Sequence, residues 1–162
     1  MQQNIKAWFS RIRRLNPLRR KSLKVSAEDY RAAAEGVVTH MREQLGIELR
    51  YDKESIQWLD GYINRIRLEL NKEIYAGLAA ALGAYVGETI INVYGGTWAY
   101  FEKQGSWGIQ LNDGNGAFPI AKVYKQLEDG EFDSVYSFFT IIPLINEIAS
   151  APPNSVVERS NE

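Results

Sequence analysis

Cysteine is absent from this chain of 162 residues and histidine occurs once, at His40. Without thiols there are no disulfides, no thiolate metal sites and no cysteine nucleophile. A single histidine also excludes the commonest catalytic triads and metal centres unless a partner chain or a purely carboxylate site supplies the rest. Long apolar runs are missing too. The best span, residues 74–87, is uncharged and rich in alanine and glycine, but Glu88 and Asn92 follow it. Fourteen residues fall short of the roughly 20 that cross a bilayer and fit a buried core helix.

Acidic residues are missing from the first 25 positions, which hold Lys6, Arg11, Arg13, Arg14, Arg19, Arg20, Lys21 and Lys24. The remainder holds the other 11 basic and all 20 acidic side chains, a formal −9 against +8. An asymmetry of this kind points to an arm that acts on an anionic surface or on its own acidic body. At about 100° per residue, Ile5, Trp8, Phe9, Ile12 and Leu15 share one helical arc, with Arg13 and Arg14 outside it and Arg11 near its edge. Pro17 should end that helix, and residues 18–25 read as a basic linker. Apolar residues interleaved with arginine do not make a secretory leader.

What is present suffices for one core: 45% of residues are apolar and 12% aromatic. The expected organisation is an arm at 1–25, one globular unit at 26–149 and a flexible tail at 150–162. Ser26 and Asp29 have capping-box spacing and open a helix through Tyr30, Ala33, Val37, Met41 and Leu45, stopped at Gly46. Asp52 caps a second helix with Ile56, Leu59, Ile63, Ile66 and Leu70 on one face. The third, residues 72–94, is so rich in alanine and glycine that neighbours can approach on several sides, which predicts a central position. Its Gly83 and Gly87 read as a site of helix packing.

After Gly95 and Gly96 the pattern changes to β-prone aromatics, and residues 97–103 and 107–112 read as an antiparallel hairpin. Asp113-Gly114-Asn115-Gly116 signals a turn into a short strand near Ala117 and Phe118. Pro119 suits the start of a helix carrying Ile120, Val123, Tyr124 and Leu127 to Gly130. A last helix over 133–149 should face Val135, Phe138, Phe139, Ile142, Ile145 and Ile148 inward, with Pro143 kinking it. The expected class is α+β: helices around a central Ala/Gly-rich helix, with a small antiparallel sheet.

Glu88 is the one candidate catalytic residue, because a carboxylate on the most apolar helix must be paired, solvated or functional. No second group is placed beside it by spacing, so a carboxylate-dependent hydrolase is an alternative reading. No metal site or cofactor motif is present: the Asp113 turn lacks the ligand pattern of a calcium loop, and no phosphate-binding glycine motif occurs. His40 reads as structural. Partner-binding candidates are the hairpin aromatics Trp98, Tyr100 and Trp107, since a two-stranded sheet has one covered face. The carboxylates Glu128, Asp129 and Glu131 form an acidic edge suited to a basic partner. On the arm, Trp8, Phe9 and Ile12 with Arg11, Arg13 and Arg14 suit protein or an anionic membrane surface better than nucleic acid.

The run Leu82-Gly83-Ala84-Tyr85-Val86-Gly87-Glu88, then Gly95-Gly96-Thr97-Trp98, Phe118-Pro119, Val123-Tyr124-Lys125 and Gly130 through Asp133-Ser134 to Phe138, resembles a pattern of small uncharacterised bacterial domains. The resemblance covers about residues 55–146. It implies a bacterial α+β domain with an accessory or immunity-like role and supplies no catalytic residues. The expectation is a non-enzymatic interaction domain, cytoplasmic or peripheral at the inner membrane face, binding another protein or itself, with the arm aiding recruitment.

Overall fold

Asp52 and Ser26 begin the two helices that the sequence marks with caps. The Asp52 carboxylate accepts from the Ser55 backbone amide at 2.8 Å, which satisfies an orphan donor of the helix Lys53–Ile66. The Asp29 carboxylate accepts from both the backbone N–H and the hydroxyl of Ser26, each at 2.9 Å, at the start of Ala27–Leu45. The computed structural model describes Ala7 and residues 25–150, with side chains to residue 145. The rest of the basic arm and the tail from residue 151 lie outside the described residues.

The element order is α1 (Ala27–Leu45), α2 (Lys53–Ile66), a 3-10 turn (Lys72–Ile74), α3 (Tyr75–Tyr94), β1 (Thr97–Phe101), β2 (Ser106–Gln110), β3 (Gly116–Ala117), α4 (Pro119–Asp129), a second 3-10 turn (Gly130–Asp133) and α5 (Val135–Ser150). The fold is α+β, with five α-helices and a three-stranded antiparallel sheet in the order β1-β2-β3 among the described residues. Strand β3 is only two residues long, pairing Ile109 with Ala117 and Gln110 with Gly116.

Central α3 is buried along nearly its whole length, from Tyr75 to Ile90. Residues 72–94 have the length and hydropathy of a membrane span, longer than the uncharged core alone, yet 72% of that apolar window is buried by the chain itself. Packing within the fold accounts for the apolarity. Small residues explain how: a β-carbon at Gly83 would meet the Ile120 backbone of α4 at 2.5 Å. At Gly87 the close neighbour is not another helix, as the sequence pattern suggested, but the indole of Trp98.

One inward assignment is corrected, and the side chain of Ile148, also expected inward, lies outside the described residues. Ile145 is 42% exposed, beside Ile141 and Leu144, because α5 packs through Val135, Phe139 and Ile142. Tyr124 is also exposed, since Val123 and Leu127, one turn apart on α4, take the core face.

A half-buried polar hub joins the last elements to α2. The Asp60 Oδ1 atom accepts from Gln126 Nε2 at 3.0 Å, Ser134 Oγ at 2.7 Å and the Tyr136 amide at 3.0 Å. Gln126, fully buried, also receives the Val135 amide through its Oε1 at 2.9 Å. The hub fixes where α5 leaves α4, and so where the acidic 3-10 turn stands.

Candidate functional site

Register decides which hairpin side chains meet the body. Trp98 pairs with Ile109 and Tyr100 with Trp107, so these four side chains share one face of the sheet. At the base of the hairpin that face is covered. Trp98 is buried, its indole stacked on Tyr30 with ring centroids 4.3 Å apart. It therefore belongs to the core and offers no surface to a partner. Toward the tip the same face overhangs: Tyr100 is 53% exposed and meets Trp107 edge-on at 6.1 Å.

Beneath the overhang the neighbouring helices present alanine. Ala76 and Ala79 of α3 and Ala121 of α4 make a floor too short to fill the gap. The result is a groove of about 570 Å³, walled by Tyr30, Trp107, Phe118 and Tyr124 and ending at Lys125 and Glu128. A second hollow of about 430 Å³ shares Ser106, Phe118, Ala121 and Lys125 with it and continues past Gln104 and Phe138. The two adjoin at these shared residues, and Phe101 meets the Phe118 ring edge-on at 4.9 Å.

Glu128, on the groove's lining, belongs to an acidic corner. Arg67, just past α2, donates from Nε to the Leu127 carbonyl at 2.9 Å and from its terminal nitrogen to the Glu128 carbonyl. That clamp brings Leu68 and Glu69 to the same corner as Glu128, Asp129, Glu131 and Phe132. Leu68 is 78% and Phe132 92% exposed, and the four carboxylates are exposed as well. Asp133 is engaged differently. Its carboxylate accepts from Lys122 Nζ at 2.7 Å, and that bond, aided by the charges of Lys122 and Lys125, holds its carboxyl below the ordinary range despite some desolvation.

Of the candidate binding residues, Tyr100, Trp107 and Glu128 line the groove, Asp129 and Glu131 belong to the acidic corner, and Trp98 is buried in the core. Sequence reasoning missed Tyr30 and the alanine floor as groove elements. Helical periodicity marks such positions as core and carries no sign that a distant hairpin will overhang them. The arm candidates Trp8, Phe9, Ile12, Arg11, Arg13 and Arg14 lie outside the described residues.

Glu88 sits elsewhere. Its Oε1 accepts from Trp98 Nε1 at 2.8 Å, its Oε2 lies 3.9 Å from Arg31 Nε, and its side chain is 14% exposed. Nearby, Tyr51 donates to Glu35 Oε1 at 2.6 Å and Tyr85 donates to the Arg50 carbonyl. Burial chiefly raises both phenols, Tyr85 to about 12, and Tyr51 is raised further by its bond to Glu35. The arrangement suits Glu88 to positioning the Trp98 indole.

Among the described residues no group of three or more His, Asp or Glu side chains could hold a metal ion. The Asp113 turn spends its carboxylate locally, on the Asn115 amide at 2.9 Å and its side-chain nitrogen at 2.8 Å. No protein-family model, curated protein or solved structure matches the chain.

Proposed function

We propose that this chain is a non-enzymatic interaction domain that holds a helical segment bearing aromatic and basic side chains. The overhang of Tyr100 and Trp107 above an alanine floor carries the reading. A pocket of this width and lining takes an aromatic ring, and aromatic anchors seated in such pockets dominate interface energies. The corner of Glu69, Glu128, Asp129 and Glu131 supplies the complement for arginine or lysine flanking the anchor. A helix in a groove presents anchors three and four residues apart, which matches a trough running between a hairpin and α4. An accessory or immunity-like role, as the bacterial resemblance implies, is consistent with a domain that works by occupying a partner.

Selection of displayed helical peptides on the full chain tests the reading. Peptides with aromatic residues at helical spacing and flanking Lys or Arg should be enriched. Their affinity should fall at least about tenfold, roughly 1.4 kcal/mol, on Ala121→Trp, which fills the groove from an exposed position. Selected peptides that bind wild type and Ala121→Trp equally would place the binding surface elsewhere.

A further inference from the structure

We infer that the groove's resident occupant is the chain's own arm, residues 5–15, docked in cis. The inference rests on the reading of the groove as a seat for a basic, aromatic-bearing helix, and it names one such helix.

Three observations carry it. The first is where the arm joins the body. Residues 1–24 lead directly into α1, and Tyr30, one turn into that helix, is itself a wall of the groove. Nine residues, 16–24, lie between the arm's apolar stretch and Val25, and extended they reach about 30 Å. A helix of residues 5–15 is only about 16 Å long, so the connection imposes no obstacle to docking within one molecule.

The second is chemistry. The arm's sequence puts Trp8, Phe9 and Ile12 on one helical arc, the side-chain types that an alanine-floored aromatic trough accepts. The third is charge. Arg11, Arg13 and Arg14 accompany the aromatic pair, and Glu128 on the groove's lining is followed in the chain by the exposed Asp129 and Glu131. The exposed apolar face of α5 offers the arm less. Its residues 141–145 include no charged side chain to meet the arginines.

Docking in cis makes the arm a built-in competitor. A partner helix must displace it at the local concentration set by nine connecting residues, on the order of millimolar for so short a link. The arm's aromatic face is covered while docked, so the arm cannot use that face on a membrane or a second protein at the same time.

The absence of cysteine makes the test direct, because an introduced thiol is unique. A nitroxide attached at Lys103→Cys, exposed on the hairpin tip and outside the groove's lining, should broaden the amide NMR signals of residues 5–15 in the full chain. The same label at Leu144→Cys, on the exposed apolar face of α5, should broaden them less. Mixing labelled, unenriched chain with unlabelled, nitrogen-15-enriched chain should give no broadening. Sharp arm signals with the Lys103 label, or stronger broadening with the Leu144 label, overturn the inference. Broadening in the mixed sample overturns docking in cis in favour of a second copy. A chain with Trp8, Phe9 and Ile12 all changed to Ser is then titrated with an unrelated basic peptide carrying aromatics at helical spacing. Shifts of groove amides in that titration leave the groove's role standing even where the arm fails to dock. With no shifts and no arm broadening, both readings fall.

Discussion

The Trp98 indole lies against Gly87 so closely that a β-carbon there would come under 3.0 Å from two ring atoms. The ring has little freedom to retreat, being stacked on Tyr30 and bonded to Glu88. Gly87→Ala should therefore destabilise the fold. Overpacking costs roughly 1–3 kcal/mol, and alanine's helix preference over glycine returns about 1 kcal/mol. A net loss of up to about 2 kcal/mol is expected in chemical denaturation. An unchanged midpoint would mean that β1 shifts without cost.

Glu88 and Trp98 make a second, separable prediction. Glu88→Ala removes the acceptor of a buried indole N–H and should cost about 1–3 kcal/mol, whereas Glu88→Gln retains an oxygen there and should stay within about 0.5 kcal/mol of wild type. Equal losses in the two variants would show that the charge facing Arg31 matters more than the hydrogen bond.

Asp60 should be the most sensitive polar position. Asp60→Ala takes the shared oxygen from the Ser134 hydroxyl and the Tyr136 amide, whereas Gln126 Nε2 keeps Asn64 Oδ1 and the residue 60 carbonyl as acceptors. Leaving these half-buried donors unpaired costs about 1–3 kcal/mol. Hydrogen exchange should rise first at the start of α5. Protection that stays uniform there would remove the hub's role.

The helices were legible because their signals are local. Caps at Ser26 and Asp52, the stop at Gly46, Pro119 at a first turn and the small residues of α3 all act within one element. The groove was not, since it arises from contacts between residues such as Tyr30 and Trp107, whose rings lie 5.6 Å apart across a long sequence separation. Trp98 and Tyr100 show the limit most clearly. Two residues apart on one strand face, one is core and the other surface, because the body ends between them.

Tyrosine burial predicts alkaline unfolding. Burial, followed by the charge of Asp29, raises Tyr30 to about 12, and Tyr85 is raised to about 12 chiefly by burial, against 10.0 in the unfolded chain. A phenol whose folded pKa is raised contributes stability that is complete below about pH 10 and is lost as pH rises toward 12. Denaturation free energy should hold near pH 9 and fall above pH 10, by a few kcal/mol in all, with the tyrosinate absorbance of Tyr30 and Tyr85, read as the difference from chains carrying Tyr30→Phe or Tyr85→Phe, appearing together with unfolding. A difference signal that forms well before unfolding would show that these two phenols are open to solvent.

Filling the groove should release the arm. Ala121→Trp excludes an aromatic guest, so the face of Trp8, Phe9 and Ile12 becomes available to other surfaces. Basic residues near an anionic leaflet contribute roughly 1 kcal/mol each, and that attraction weakens as the screening length shortens to about 3 Å at 1 M salt. In vesicle sedimentation the Ala121→Trp chain should partition more strongly than wild type onto anionic membranes at low salt, and the difference should shrink at high salt. Neutral vesicles should show less of it, because the apolar face alone anchors weakly and reversibly. Equal partitioning of the two chains under all conditions would mean that the arm's apolar face is already exposed in the wild type, and with that the groove would lose its claim on the arm.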